Sequence, residues 1–577
     1  MEDISRGVRS FTLGTAVSRV MGLVREMVIA HLFGAGFAVD AYNVAFRIPN
    51  LLRDLFAETA LSAAFVPVLT AEKAKNKEAQ NRLASNIFNI LFVTAGAVSL
   101  AGLLLAPILA RVIAFGFGKV PGKIDLTTQL TAVLFPFLLF ISLAAWAMSY
   151  LNTEKKFFLP SVAPAVFNLF SILFPLLTYG WYTAHGKDPI FGLTIGVLVG
   201  GLMQFLVQAP LLRRTGFRWS PILSFRDPEF RRVMALFVPV AIGLAGTRIN
   251  VLVNTILVTP LAQGSVSWLS YAFRIMHLPL GLFGIAVGTV ALPSLSKMVL
   301  ENDVGAVKST LADSLKMVLF LTVPTSALIA CLAIPVTRAI YQRGHFTAAD
   351  TMATAAALVL YIVGIPFASA LRNVAAVFYA YKDAKTPMYA SFASIGLNIV
   401  LNLSLMWVVG YLAFPLSTTL AAILNVGILY ALLPRKVGPM ELGPLAAYAG
   451  KLAAASIAGG GAAWLGNRLI AGEWGTSFLA TAGSVAACGV IGLAVFFALS
   501  RLLGITEALR ETRMVIPRDI AVAGFDNLAW TRCQRSRCHS NPLEFGNLSL
   551  YLDVSGHAYY CRLRKNSYGA EPTPKLG

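Results

Sequence analysis

Fourteen long apolar blocks constrain this chain more than any other feature. A helix that crosses a bilayer takes about 20 mostly apolar residues. Blocks of that length lie near 9–35, 40–71, 83–115, 127–152, 159–183, 189–213, 233–259, 264–296, 309–341, 350–380, 386–409, 411–434, 443–471 and 475–504. Only 13% of the residues are charged and 57% are hydrophobic, where a soluble domain carries about a quarter charged. The pattern predicts an all-α polytopic membrane protein with fourteen transmembrane helices. The first block contains arginines and no small-residue cleavage site, so it reads as a true first helix and not a removable signal peptide.

The net charge of +20 is sorted by loop. Loops after even-numbered spans carry 18 Lys and Arg, among them Lys73, Lys77, Lys155, Arg213, Arg218, Arg226, Lys382 and Arg435. Loops after odd-numbered spans carry 4, namely Lys119, Lys123, Lys187 and Arg343. The positive-inside rule then places both termini in the cytoplasm. Topology accounts for the basic balance, so it does not point to nucleic acid. Cys331 and Cys488 lie in spans and Cys533, Cys538 and Cys561 in the tail, so no disulfide framework is implied for the membrane part.

The chain also repeats. Ala45-Phe46-Arg47-Ile48 recurs 227 residues later as Ala272-Phe273-Arg274-Ile275, and Pro160 and Pro387 have the same separation. The period covers six spans, an even number, so the halves share one topology and are related by an axis along the membrane normal. The expected organisation is an N-terminal six-helix lobe at 1–220, a C-terminal six-helix lobe at 221–440, a two-helix hairpin at 441–510 and an atypical tail at 511–577. Gly192, Gly196 and Gly200 form a small-residue stripe that reads as helix packing.

Charges inside spans are the candidate chemistry, because each costs about 2.5–3.5 kcal/mol on insertion scales. Arg19 and Glu26 are seven apart on span one, with Arg25 beside them. Span two carries Asp40, Arg47 and Asp54 at seven-residue spacing, together with Arg53 and Glu58, and Pro49 predicts a kink among them. Spans seven and eight add Arg248, Arg274 and His277. Arginine makes bidentate charge-assisted bonds to phosphate and stays protonated when partly buried. A cavity with more arginines than carboxylates attracts a pyrophosphate-like anion. Arg19, Arg25, Arg53 and Arg274 are therefore the candidate cargo ligands. Glu26, Asp40, Arg47, Asp54 and Glu58 are supporting charges, with Glu26 and Asp40 expected to orient arginines and Arg47 expected to be neutralised by Asp40 and Asp54.

Asn254, Asn398, Asn402 and Thr418 are polar groups in second-half spans and form a candidate monovalent-cation site; interhelical hydrogen bonding is the competing reading. No phosphate-binding G-x-x-x-x-G-K-[ST] loop, zinc-protease motif or nucleophile elbow occurs, which argues against ATP hydrolysis and against an enzyme. No cofactor or metal is expected beyond that coupled cation and the membrane potential.

Several segments then resemble one family. They are Ser18-Arg19-Val20-Met21-Gly22-Leu23-Val24-Arg25-Glu26, Asp40-Ala41-Tyr42, Pro49-Asn50-Leu51-Leu52-Arg53, Gly264-Ser265-Val266-Ser267-Trp268 and Leu292-Pro293-Ser294-Leu295-Ser296. Over about residues 5–510 the chain resembles the MurJ/MviN lipid II flippases of the MOP exporter superfamily. The resemblance implies a bacterial inner-membrane protein whose last two helices form a groove for a lipid tail. It implies as cargo an undecaprenyl-pyrophosphate-linked disaccharide-pentapeptide, and membrane lipids and cell-wall synthesis or division proteins as partners. It also implies functional roles at the positions of Arg19, Arg25, Asp40, Arg53 and Arg274. The family usually has an acidic residue just before the span-eight arginine; here it is Phe273, which leaves Arg274 without that local ion pair and freer to meet phosphate. The alternatives are a MOP-type exporter of another cargo (a drug/cation antiporter or an O-antigen lipid flippase) and, in a different class, a membrane-embedded enzyme or an assembly scaffold.

The tail after about Val515 is polar and irregular. Residues 516–527 are similar to a strand-turn segment of LacI-type repressor effector domains, but the piece is too short to fold as one. The tail reads as a disordered or fused end.

Overall fold

The computed structural model describes residues 2–54, 60–470 and 478–506, and in the tail 543–545, 548–552 and 558–562. Glu58, the hairpin turn at 471–477 and the LacI-like stretch lie outside the described residues. The chain divides into two units, Met1–Leu509 and Arg510–Gly577.

The described residues of the first unit form helices joined by turns and short irregular stretches. Its first half comprises α1 (Glu2–Phe33), α2 (Phe37–Ala45), α3 (Arg47–Arg53), α4 (Ala60–Lys75), α5 (Lys77–Leu104), α6 (Ala106–Ile113), α7 (Lys123–Leu134), α8 (Phe137–Thr153), α9 (Phe158–Ala184), α10 (Ile190–Leu206) and α11 (Ala209–Arg214). The second comprises α12 (Pro228–Val258), α13 (Ser265–Pro279), α14 (Ile285–Leu300), α15 (Val304–Cys331), α16 (Ala333–Tyr341), α17 (Ala348–Val363), α18 (Ile365–Ala380), α19 (Lys385–Val409), α20 (Ala413–Leu432) and α21 (Pro434–Val437). The hairpin is α22 (Leu442–Ile470) and α23 (Phe478–Leu502). Among the described residues, eight helices are long and apolar enough to cross a membrane, or nine if the bent α12 counts as one. One of these segments, Lys385–Val437, takes in both α19 and α20.

Local chemistry sets these boundaries. Asn76 caps α5 by accepting from the Ala79 N–H at 2.7 Å, and Asp303 caps α15 by accepting from Ala306 at 2.8 Å. Thr347 and Asp350 form a capping box at α17. Span two breaks at Phe46, between α2 and α3. Pro49 is the cause: it lacks an N–H and its ring opposes the carbonyl four residues back, at Ala45. The helix is therefore interrupted near the predicted position, one turn toward the N-terminus.

A buried apolar cluster runs through both halves, from Ile29, Tyr42 and Phe137 to Tyr271, Tyr341 and Leu358. The outer surface is apolar too: Leu177 is 77% exposed, Val408 79% and Leu479 79%, which suits a protein whose outside solvent is lipid. The glycine stripe packs as expected. A β-carbon on Gly196 would lie 2.8 Å from the Phe170 carbonyl oxygen, and one on Gly200 2.7 Å from that of Phe167, so α10 fits against α9 only without side chains there. Gly459 approaches Gly492 between α22 and α23, and Gly460 approaches Ala327 of α15. In the second unit, β1 (Leu543–Phe545), β2 (Leu548–Leu552) and β3 (Ala558–Arg562) form an antiparallel sheet in the order β1-β2-β3. These short strands depart from the irregular tail expected from composition.

Candidate functional site: a cationic cavity between the halves

The cavity lies where the first helices of each half meet. It has a volume of about 460 Å³ and is lined by Arg25, Arg47, Arg53 and Arg274, with Asn43, Asn50, Asn250 and Asn254 as neutral polar groups and Phe46, Phe273, Tyr361 and Phe414 as aromatic walls. Three of the four expected cargo ligands are therefore together. The fourth, Arg19, is not among the lining residues; its guanidinium reaches instead to Gly281, in the π turn Leu280–Gly284 between α13 and α14.

Three carboxylates organise the charges, and each joins the halves. Glu26 accepts from Arg25 Nη2 at 2.7 Å and lies 2.7 Å from Arg274 Nη1. Arg25 also donates to Asn168 Oδ1 at 3.0 Å, and Asn168 donates in turn to the Ser18 carbonyl. The ring of Phe167 lies 5.4 Å from the Arg25 guanidinium. Arg25 is thus held from three sides. Asp54 pairs with Arg53 at 3.0 Å and with Arg248 at 2.8 Å.

Among the described residues, the third carboxylate, Asp40, pairs with no arginine. It accepts from Lys123 Nζ at 2.9 Å, from the Gly264 N–H at 2.8 Å, and from the N–H and hydroxyl of Ser267 at 3.0 and 2.6 Å. Its side chain is 1% exposed and that of Lys123 is 2%. A carboxylate of the first half thereby caps the N-terminus of α13, where free N–H groups and the helix dipole favour negative charge.

Three expectations change. Asp40 orients a lysine and a helix end, not an arginine. Arg47 is not neutralised by Asp40 and Asp54, because those carboxylates are engaged elsewhere; its buried Nε has no hydrogen-bond partner among the described residues. Arg274 is not freed by Phe273, because Glu26 supplies the partner from the other half. The reason is common to all three: heptad spacing places groups on one helix face but does not say which helix packs against that face.

Sequence reasoning missed Lys123, reading it as a loop charge. The available signal was a lysine in the first turn of a helix, where the dipole disfavours it. Among the described residues, four arginines (Arg25, Arg47, Arg53, Arg274) line the cavity and no carboxylate does; Glu26 and Asp54 pair with Arg25, Arg274, Arg53 and Arg248 beside it, which leaves the cavity net positive.

The amide cluster is a separate feature. Asn402 Nδ2 donates to Asn254 Oδ1 at 2.8 Å and to Asn398 Oδ1 at 3.2 Å, while Thr418 donates to the Phe414 carbonyl. It contains no carboxylate. Beyond the cavity the halves interlock at one end: Gly34 and Gly344 have positive φ, a β-carbon on Gly34 would strike the His345 carbonyl, and one on Gly344 would strike that of His31. His345 N–H donates to the His31 carbonyl at 3.0 Å across the same seam.

Comparison with known proteins shows the family. A family model described as lipid II flippase MurJ matches residues 29–484. The chain belongs to the MurJ family. A probable lipid II flippase MurJ of Vibrio cholerae is 36% identical over 425 residues, covering 72% of this chain and 80% of that protein. The lipid II flippase MurJ of Burkholderia cenocepacia is 34% identical over 423 residues, covering 72% and 81%. A solved MurJ in an inward closed conformation superposes with a TM-score of 0.70 at 27% identity, covering 86% of this chain and 99% of that one. An inward-facing multidrug MATE transporter of the MOP superfamily reaches a TM-score of 0.61 at 13% identity, which speaks to the fold alone. Membership of a MurJ family makes this chain a transporter and not an enzyme.

Proposed function

We propose that this protein flips the undecaprenyl-pyrophosphate-linked disaccharide-pentapeptide from the inner to the outer leaflet of a bacterial cytoplasmic membrane by alternating access. The observation that carries the reading is the positive excess around the cavity, built by elements of both halves. A pyrophosphate entering it competes with Glu26 for Arg25 and Arg274. It can therefore exchange an inter-half ion pair for cargo contacts, which links binding to motion of one half against the other. Arg53 adds a further donor, and Arg19 meets the head group as the halves move. In this reading fourteen spans form two repeated six-helix lobes at 1–220 and 221–440, and the hairpin at 441–510 faces the lipid tail. The alternation of basic and charge-poor loops supports both the span count and cytoplasmic termini.

Outward movement of an anion follows an inside-negative potential and gains about 2.3 kcal/mol per unit charge per 100 mV. That is the proposed drive; Asn254, Asn398, Asn402 and Thr418 remain the proposed monovalent-cation site. Cell-wall synthesis or division proteins are the proposed protein partners. The test is complementation of a flippase-depleted, peptidoglycan-making cell, with lipid II flipping measured in vesicles. Arg25→Ala and Arg274→Ala should express normally and lose at least tenfold in flipping. Normal flipping by either would overturn the cationic-cavity mechanism, and transport of organic cations in place of lipid II would favour another MOP-type cargo.

A further inference from the structure

The connection between the two halves is not a free linker. From Gly216 to Ser224 the chain runs without helix or strand along one face of α5. Four α5 side chains bind its backbone. Asn81 donates to the Gly216 carbonyl at 3.0 Å, and Ser85 accepts from the Ser220 N–H at 3.1 Å. Asn86 exchanges two bonds with the Ser224 peptide, at 2.7 and 2.9 Å. Asn89 donates to the carbonyls of Ser220 and Ile222 at 2.9 and 2.7 Å. With Ser220, Ile222 and Ser224 pinned through their backbones, the side chains of Trp219, Leu223 and Phe225 are left exposed. They are 58%, 51% and 52% exposed. The Trp219 indole N–H is fixed by Asn89 Oδ1 at 2.9 Å.

Charge completes the surface. Arg213, Arg214, Arg218 and Arg226 flank this strap, are exposed, and form no ion pair among the described residues. Just beyond Asn89, α5 begins its lipid-facing surface with Phe92 and Val93, both about half exposed. An aromatic row would be unfavourable in water, and four arginines would be costly in hydrocarbon. The boundary between the two satisfies both.

We propose that Gly216–Arg226 is an interfacial site for anionic phospholipid. Trp219, Leu223 and Phe225 enter the upper acyl region, and the four arginines engage head-group phosphates of the surrounding bilayer. The site rests only on the chain being membrane-embedded, and not on its cargo. It is tested in nanodiscs holding the full chain, using phosphatidylglycerol or phosphatidylcholine brominated near the head-group end of the acyl chain. Brominated phosphatidylglycerol should quench tryptophan fluorescence more strongly than brominated phosphatidylcholine at equal fraction, and Trp219→Phe should remove that difference. Arg218→Gln with Arg226→Gln should keep the fold, by circular dichroism, and reduce the preference about fivefold or more. Quenching unchanged in Trp219→Phe would place the indole away from lipid and overturn the site. Equal quenching by the two lipids would overturn its anionic character. Protection of Trp219 by a co-purifying protein instead of lipid would also overturn it. None of these readouts uses flipping, so failure of the flippase assignment would be seen separately.

Discussion

Glu26 bears on two arginines through one oxygen. Replacing it with glutamine removes the negative charge but preserves the shape, so Arg25 and Arg274 lose their shared partner. Glu26→Gln should bind a pyrophosphate probe more tightly yet flip lipid II at least tenfold more slowly, because the inter-half pair no longer re-forms after release. Equal binding and flipping in the variant would show that Glu26 does not couple them. Asp40 and Lys123 call for a different test. Without Lys123 the buried Asp40 keeps only the Gly264 and Ser267 donors against its charge, which lowers stability. Lys123→Met should therefore lower the thermal midpoint sharply, and adding Asp40→Asn should recover much of it. A single variant as stable as the parent would contradict the burial of both groups.

Elements meet where glycine lets them. At the seam of Gly34 and Gly344 each residue has positive φ, and each opposes a carbonyl of the other half. Gly344→Ala introduces both backbone strain and a clash. The expected outcome is a shift toward the state in which this seam is open, measured as faster labelling of a cysteine placed at His31. No change in labelling would mean the seam is not part of the moving interface. The same scale shows what local sequence can foresee. Pro49 predicts a break in span two, and the break appears one turn earlier, at Phe46, because proline disrupts the carbonyl behind it. The seam could not be foreseen in this way, since nothing near Gly34 names its opposing residue.

At the scale of the whole molecule, the helix ends expected to face the cytoplasm are clasped by charge. Glu154 accepts from Lys73 at 2.8 Å, Lys77 at 2.8 Å and Gln80 at 2.7 Å. Burial pushes its carboxyl up, but these three donors pull it down to about 2. A depressed carboxylate contributes stability that is complete above its ordinary value of about 4.3 and is lost as pH falls toward 2. Stability should therefore be flat in this term from pH 8 to 5 and fall below about 4.5, and Glu154→Gln should remove that acid dependence. The tail belongs to the same scale. Deleting residues 516–577 should leave flipping intact, because the helices and the cavity lie in the other unit; loss of flipping in a well-expressed truncation would contradict this.

The sequence alone determined that the chain is a helical membrane protein with arginines inside its spans. Apolar length is a local property, and a guanidinium within an apolar block is visible in the sequence whatever partner it finds. It also marked Arg25, Arg53 and Arg274 as residues of one site. The tertiary structure alone decided the pairing: Glu26 with Arg274, Asp54 with Arg248, and Asp40 with Lys123 and the end of α13. Each of those contacts joins helices far apart in the chain, and only helix packing brings them within hydrogen-bond reach.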